Sequence, residues 1–114
     1  MTFYFEPTGA LAERIRPSYG PRRQEYVHRC SRAVFEEVCH RVDEVDSFTL
    51  DEIVAAAGVP HSQAALALRF LHRFGLVERG HDRRCRRTED SIHLSAMTCW
   101  HAEHEGATHW KEQT

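Results

Sequence analysis

Hydrophobic residues recur at steps of three and four along two segments in the middle of the chain. The first segment runs over residues 50–57, and the second, over about residues 61–74, carries a stripe of Ala64, Ala67, Leu68, Leu71 and Phe74. Such spacing predicts two amphipathic helices. Gly58 and Pro60 separate them, because a glycine can end one helix and a proline suits the first turn of the next. The pattern therefore predicts a helix-turn-helix unit.

The boundaries of this unit carry further signals. Thr49 precedes Glu52 by three residues, the spacing of a capping box, in which both side chains bond to free amides at a helix start. Gly75 follows the second helix and can take the left-handed conformation of a C′ residue. Residues 76–80 and 84–88 then flank a turn, which predicts a short β-hairpin.

The N-terminal part of the chain is predicted to contain an arm and a long helix. Residues 1–24 are punctuated by prolines and glycines, which indicates an arm with at most one or two helical turns near residues 10–15. From Gln24 to about Val45 the apolar positions again follow helical spacing, at Val27, Cys30, Val34, Val38 and Val42. This segment is expected to form the back wall of the domain.

A last helix is predicted in the C-terminal segment. Asp90 or Ser91 is expected to cap it, and it is expected to end near Gly106. Leu94, Met97 and Trp100 lie on this helix. They are expected to face either a second subunit or the long helix that precedes the helix-turn-helix unit.

The middle of the chain resembles a known module. The segments that carry the resemblance are Asp51-Glu52-Ile53-Val54-Ala55, Gly58-Val59, Leu71 and Gly75-Leu76-Val77-Glu78-Arg79. Together they resemble the winged helix of bacterial transcription regulators, in particular the multiple-antibiotic-resistance type. His81-Asp82-Arg83-Arg84 is similar to the wing of that family, a hairpin loop that bears Asp and Arg. The resemblance covers residues 47–88.

The resemblance implies a fold and a division of the chain. The implied fold is mainly α with a small β-hairpin wing, an α+β winged helix-turn-helix with a three-helix core, an N-terminal arm and a C-terminal helix. On this basis residues 1–24 form the arm and residues 25–90 the winged-helix domain. Residues 91–114 form a helix and tail that pack on the domain or dimerise.

The same resemblance implies that the protein is a DNA-binding transcriptional regulator. In that family the second helix of the unit enters the major groove, and arginines of the wing contact the adjacent backbone or minor groove. The implied partners are double-stranded DNA and a second copy of the chain. The residues at the DNA-contacting positions are His61, Ser62, Gln63, Arg69, Arg73, Arg83, Arg84, Arg86 and Arg87.

The distribution of charge agrees with this hypothesis. The net charge is only -2, but residues 69–88 hold seven arginines against two acids. Residues 33–52 instead hold Arg41 against seven acids. A basic end of the helix-turn-helix unit beside an acidic first helix suits a protein that presents one face to nucleic acid.

Two other functions fit parts of the sequence. Ala65 and Leu66 lie on the second helix of the unit, where the family commonly has polar side chains, and an apolar patch there would suit a winged helix used for protein–protein contacts. Cys85, Cys99, His101 and His104 offer the thiolate and imidazole ligands that zinc takes, which would make the protein a metal-responsive regulator. Their spacing matches no closed zinc motif, so no cofactor is predicted.

Composition narrows the remaining possibilities. A hydrophobic content of 41% and a charged content of 28% are typical of a soluble globular domain. No run is long enough to span a bilayer, the N-terminus lacks a signal-peptide layout, and no CxxC pair is present, so a cytoplasmic protein with reduced cysteines is expected. An enzyme is not predicted, because the sequence contains neither a Gly-rich phosphate loop nor a nucleophile elbow.

Overall fold

In the computed structural model, which describes residues 2–15 and 26–113, the first elements are strands. The strands β1 (Thr2–Phe5), β2 (Leu11–Ile15) and β3 (Tyr26–Cys30) pair antiparallel in the order β1-β2-β3. The amide of Gly9 donates to Glu6 O (2.8 Å) in the turn that joins the first two. The predicted arm with a helical turn near residues 10–15 is therefore wrong. Residues 1 and 16–24 of the arm lie outside the described part of the chain.

The long first helix begins eight residues later than predicted, since α1 spans Arg32–Asp43. The spacing of Val27 and Cys30 fits a strand as well as a helix, and residues 26–30 pair with β2. Ser31 then has an extended backbone, and its hydroxyl accepts a hydrogen bond from Val34 N (3.2 Å). This N-cap fixes the start of α1, because it satisfies an amide that has no partner within the helix.

The two central helices lie where the sequence predicts them. Helix α2 spans Leu50–Ala57, and α3 spans His61–Arg73. The hydroxyl of Thr49 accepts from Glu52 N (3.2 Å) at the start of α2, as the capping-box spacing predicts. Gly58 and Gly75 both have positive φ, 66° and 71°, so both predicted left-handed turns are confirmed.

The predicted hairpin follows α3. Strand β4 (Val77–Arg79) pairs antiparallel with β5 (Cys85–Arg87), and Arg79 lies opposite Cys85. Phe48, from the segment between α1 and α2, bridges to the other edge of β5. Its amide donates to Cys85 O (2.9 Å), and Cys85 N donates to Phe48 O (2.8 Å). The hairpin is thereby attached to the start of the helix pair.

Helix α4 spans His93–Gln113 and differs from its prediction at both ends. It continues past Gly106, and its start is capped from α1 rather than by Asp90 or Ser91. The carboxylate of Asp43 accepts from Ile92 N (2.8 Å), from His93 N (3.2 Å) and from the hydroxyl of Ser91 (2.9 Å). A carboxylate at a helix start also interacts favourably with the helix dipole. Asp43 therefore joins the end of α1 to the start of α4.

Replacing Asp43 by Ala is expected to lower the free energy of unfolding by about 1–2 kcal/mol, because the free amides of α4 lose their acceptor. Urea unfolding measures the change. The control is Asp46→Ala, since Asp46 is exposed just beyond α1. Equal stabilities of the two variants would show that the Asp43 contacts do not hold α4.

The described elements share one hydrophobic core, to which β1, β2, α1, α3 and α4 all contribute. Trp100 lies at its centre, with its ring centroid 4.9 Å from that of Phe5 and 4.6 Å from that of Phe35. Met97 is buried with Trp100, whereas Leu94 is 77% exposed. Over the described residues the protein is an α+β fold of four helices and small antiparallel sheets. None of the described helices has the length and apolar character needed to cross a membrane.

Candidate functional site

Helix α3 exposes one main stripe of its surface, and Gln63 is partly exposed outside it. His61, Ser62, His72 and Arg73 are exposed, and Ala65 and Arg69 are partly so. At 100° per residue these six positions fall within about one third of the helix circumference. The buried residues of α3 occupy the rest of the circumference: Ala64, Leu66, Ala67, Leu68, Phe70 and Leu71.

The N-terminal sheet accounts for part of this burial. Phe3 of β1 packs edge-on against Phe70, with ring centroids 5.9 Å apart. Leu66, on the same side of α3 as Phe70, has no exposed surface. The predicted protein-binding patch at Ala65 and Leu66 is therefore wrong for Leu66, because a buried side chain cannot contact a partner. The apolar character of Leu66 reflects its place in the core.

Two of the predicted DNA-contacting residues on α3 are engaged inside the chain. The guanidinium of Arg69 donates to Glu13 Oε1 of β2 through Nε (2.9 Å) and the terminal nitrogen Nη2 (2.7 Å). Glu13 is fully buried, and its second oxygen has no hydrogen-bond partner among residues 2–15 and 26–113. Gln63 Oε1 accepts from Ser31 N (3.2 Å). A bidentate contact of Gln63 with adenine needs that oxygen and the amide nitrogen together.

Three predicted arginines of the hairpin are also held by other groups of the protein. Arg84 donates to the hydroxyl of Ser47 (2.9 Å) and to Glu52 Oε2 (3.0 Å), and this hydrogen bond lowers the pKa of the Glu52 carboxyl. Arg86 donates to both oxygens of Asp82 (2.6 and 3.1 Å). Its hydrogen bonds lower the pKa of that carboxyl well below the usual range.

Arg87 has a different role, because it contacts the end of α1. Its guanidinium donates to Val42 O (2.7 Å) and to Val45 O. Val42 O lies in the last turn of α1 and Val45 O just beyond it, where the negative end of the helix dipole favours a cation. Arg87 therefore connects β5 to α1, and its charge is directed into the protein rather than to a surface.

Among the arginine side chains that the structure describes, Arg73, Arg79 and Arg83 make neither a hydrogen bond nor an ion pair. All three are exposed, at the end of α3 and in the hairpin. Arg83 also has a positive φ of 65°, the only non-glycine residue with positive φ in the described chain. A left-handed conformation is costly for a residue with a Cβ, and such positions are often functional.

Arg79 and Arg83 border a groove of about 480 Å³ between α3, the start of α2 and the hairpin, here called the α3–wing groove. Its lining residues include Arg79, Arg83, His61 and His72. Burial and the charge of Arg79 lower the pKa of His72, which disfavours the charged form of its ring. Arg79 and Arg83 are the arginines of this lining, and Asp51 adds one carboxylate to it. Arg79 is not among the predicted DNA-contacting residues, although the turn that starts at Gly80 places it beside the tip of the hairpin.

The proposed zinc ligands are divided between two places. Cys85 lines the α3–wing groove, where its Sγ lies 3.6 Å from His72 Nε2. His101 and His104 line a different cavity, beside α1 and α4. Across the described residues, no three His, Cys, Asp or Glu side chains are placed to bind one metal ion. The structure thus does not bring Cys85 together with Cys99, His101 and His104.

No protein-family model, no curated protein and no solved structure matches this chain.

Proposed function

We propose that the protein is a winged-helix protein that binds double-stranded DNA in the α3–wing groove, and that it acts as a transcriptional regulator. The observation that supports this most is the position of the arginines that form neither a hydrogen bond nor an ion pair among the described residues. Of eleven described arginine side chains, Arg73, Arg79 and Arg83 alone have neither a hydrogen bond nor an ion pair within the described residues. Arg79 and Arg83 line this groove, and Arg73 is exposed at the end of α3. Exposed cations that are not neutralised locally are what a phosphate backbone requires.

The arrangement of elements supports the same proposal. Helices α2 and α3 are joined by a tight turn and followed by a hairpin, in the order of the winged-helix module that residues 47–88 resemble. In a docked helix-turn-helix protein, the residues near the start of the second helix contact base edges. Here His61 and Ser62 are exposed at the start of α3, on the same stripe as Arg73.

The engaged residues change the kind of binding that we propose. Gln63 accepts a hydrogen bond from Ser31 N, and Arg69 donates to Glu13 of β2. Ala65 offers only a methyl group to a base. Phosphate contacts position a protein on DNA, whereas base contacts specify the sequence. We therefore propose that the α3–wing groove binds mainly the phosphate backbone, with base contacts limited to His61 and Ser62.

The first test is a DNA titration of the triple variant Arg73→Ala, Arg79→Ala, Arg83→Ala. At low salt, the variant is expected to bind a short duplex about a hundredfold more weakly, because each arginine–phosphate bond contributes on the order of 1 kcal/mol or more. The wild-type slope of log K against log salt is expected to be about -3, as for three phosphate contacts. Fluorescence anisotropy at several salt concentrations measures both quantities.

The matched control is the triple variant Arg29→Ala, Arg32→Ala, Arg41→Ala. It removes the same net charge, but its arginines form exposed ion pairs with Glu6, Glu36 and Glu37. Such pairs contribute little to stability, so the control is expected to fold and to keep most of its DNA affinity. Equal losses of DNA affinity in the two triple variants would mean that binding depends only on net charge. That result would contradict the assignment of DNA binding to the groove.

The homodimer and the metal-responsive function stay predictions. Of the three residues named for a dimer interface, Met97 and Trp100 pack inside the chain, while Leu94 projects from α4. Leu94 is therefore the residue through which a second copy would be contacted.

A further inference from the structure

Arg69 lies in the middle of the exposed stripe of α3, yet its charge is neutralised inside the chain. At 100° per residue it is about 80° from His61 and about 40° from Arg73 around the helix. Its side chain is 31% exposed, so it is partly accessible from that stripe. Its Nε and Nη2 both donate to Glu13 Oε1 of β2, at 2.9 and 2.7 Å. A cation on the side of α3 proposed to face DNA is therefore bound by the N-terminal sheet.

The carboxylate of Glu13 depends on Arg69 alone. It has no exposed surface, and within the described part of the chain no residue other than Arg69 donates a hydrogen bond to it. If Arg69 moved to a phosphate, a buried carboxylate would be left without a donor. That loss costs more free energy than one exposed arginine–phosphate contact contributes. In the folded wild-type chain, Arg69 therefore stays on Glu13 when DNA is bound.

The packing of the sheet on α3 brings Glu13 to Arg69. Phe3 of β1 is the register partner of Glu13, so the two side chains lie on the same face of the sheet. Phe3 packs against Phe70, with ring centroids 5.9 Å apart, and Phe70 follows Arg69 in α3. The apolar contact and the ion pair are thus neighbours. While the sheet is packed on α3, Glu13 is presented to Arg69.

We propose that Glu13 competes with DNA phosphate for Arg69, so that the N-terminal sheet lowers the DNA affinity of the protein through an autoinhibitory contact. The inference rests on the proposed DNA-binding function and adds a form of regulation to it. Any change that neutralises Glu13, or that moves the sheet away from α3, adds one available cation to the exposed stripe of α3. Such a change therefore strengthens DNA binding.

The variant Glu13→Gln tests the competition, because the amide fills a similar volume but removes the negative charge. The full chain is titrated with a labelled random-sequence duplex, and fluorescence anisotropy is measured at several salt concentrations. At low salt the variant is expected to bind about fivefold more tightly than the wild type, the effect of one arginine–phosphate contact. The slope of log K against log salt is expected to become steeper by about 1.

Glu6→Gln is the matched control. It removes one negative charge at the end of β1 and frees Arg29, whose Nε donates to Glu6 Oε1 (2.7 Å). Arg29 follows His28, the register partner of Glu13, so it lies on the face of the sheet opposite Glu13. The control is expected to change the DNA affinity by less than about twofold, because the freed arginine faces away from α3 and exposed charges are screened by salt.

A double variant, Glu13→Leu with Arg69→Met, tests the same inference without a change of net charge. It is expected to bind DNA as tightly as the wild type, because Arg69 is already withheld from phosphate in the wild type. A loss of about fivefold would mean that Arg69 contacts DNA while Glu13 is present, and it would overturn the inference. Circular dichroism checks that each variant is folded, and the double variant decides the question if Glu13→Gln does not fold.

The outcomes separate this inference from the proposed function. If the folded wild type does not bind DNA at low salt, the DNA-binding function is wrong, and the competition for Arg69 with it. If the wild type binds but Glu13→Gln leaves the affinity unchanged, or if Glu6→Gln strengthens binding equally, only the competition is wrong. Tighter binding that is confined to Glu13→Gln supports it.

Discussion

Replacing Leu66 by Asp is expected to prevent folding. Leu66 has no exposed surface, and it lies on the side of α3 where Phe70 packs against Phe3. The change removes a buried leucine, at about 2–5 kcal/mol, and adds the desolvation of a carboxylate, at several kcal/mol more. The sum approaches the whole stability of a typical domain, about 5–15 kcal/mol. Circular dichroism and thermal melting measure the result.

Leu94→Asp is the matched control for this variant. It makes the same substitution on another helix, at a position that is 77% exposed. Its melting temperature is expected to stay within a few degrees of the wild-type value, since exposed substitutions usually change stability by less than about 0.5 kcal/mol. A folded Leu66→Asp protein with a cooperative transition like that of Leu94→Asp would mean that the N-terminal sheet does not cover α3 in solution.

The second large effect is expected from Arg69→Ala. This change leaves the carboxylate of Glu13 buried without a cation, and removing one partner of a buried pair typically costs about 3–5 kcal/mol. The exposed part of the Arg69 side chain, 31%, admits some solvent, so the lower end of that range is expected. Urea unfolding measures the loss.

A double variant separates the ion pair from simple packing. Glu13→Leu combined with Arg69→Met removes both charges and keeps apolar volume, and it is expected to recover most of the lost stability. If Arg69→Ala alone costs less than about 1 kcal/mol, water must reach Glu13, and the ion pair does not hold the sheet on α3.

The central helices and the hairpin were predictable because their signals are local. A capping threonine, two glycines that adopt left-handed turns and a helical apolar stripe lie within the residues they define. Thr49, Gly58 and Gly75 all act as the sequence indicates. The ends of α2 follow from neighbouring residues alone, so no knowledge of the tertiary structure was needed.

The N-terminal sheet was not predictable in the same way. Pro7 and Gly9 indicate a loop, and they do form the turn between β1 and β2. The strands on either side are short, and their pairing depends on residues elsewhere: Leu11 pairs with Cys30 across nineteen positions of sequence. The sequence also does not mark Glu13 as a buried position of β2, because the cation that neutralises it, Arg69, lies 56 residues away.

The same separation in sequence explains why the candidate site was only partly predicted. The basic segment 69–88 was visible as a charge excess, but the sequence does not show which arginines are paired. Arg84 bonds to Glu52 and Arg87 to Val42, over 32 and 45 residues. These contacts exist only in the folded chain. The exposed arginines Arg73, Arg79 and Arg83 are what remains after the long-range pairs have formed.

Binding of duplex DNA in the α3–wing groove is tested most directly by mapping amide chemical shifts in the labelled protein during a DNA titration. The changes are expected to concentrate at residues 61–62, 72–73 and 79–83, and to decrease as salt is added. They are expected to spare β3 and α4. Changes that instead concentrate on those two elements, or the absence of changes at low salt, would contradict DNA binding by this groove.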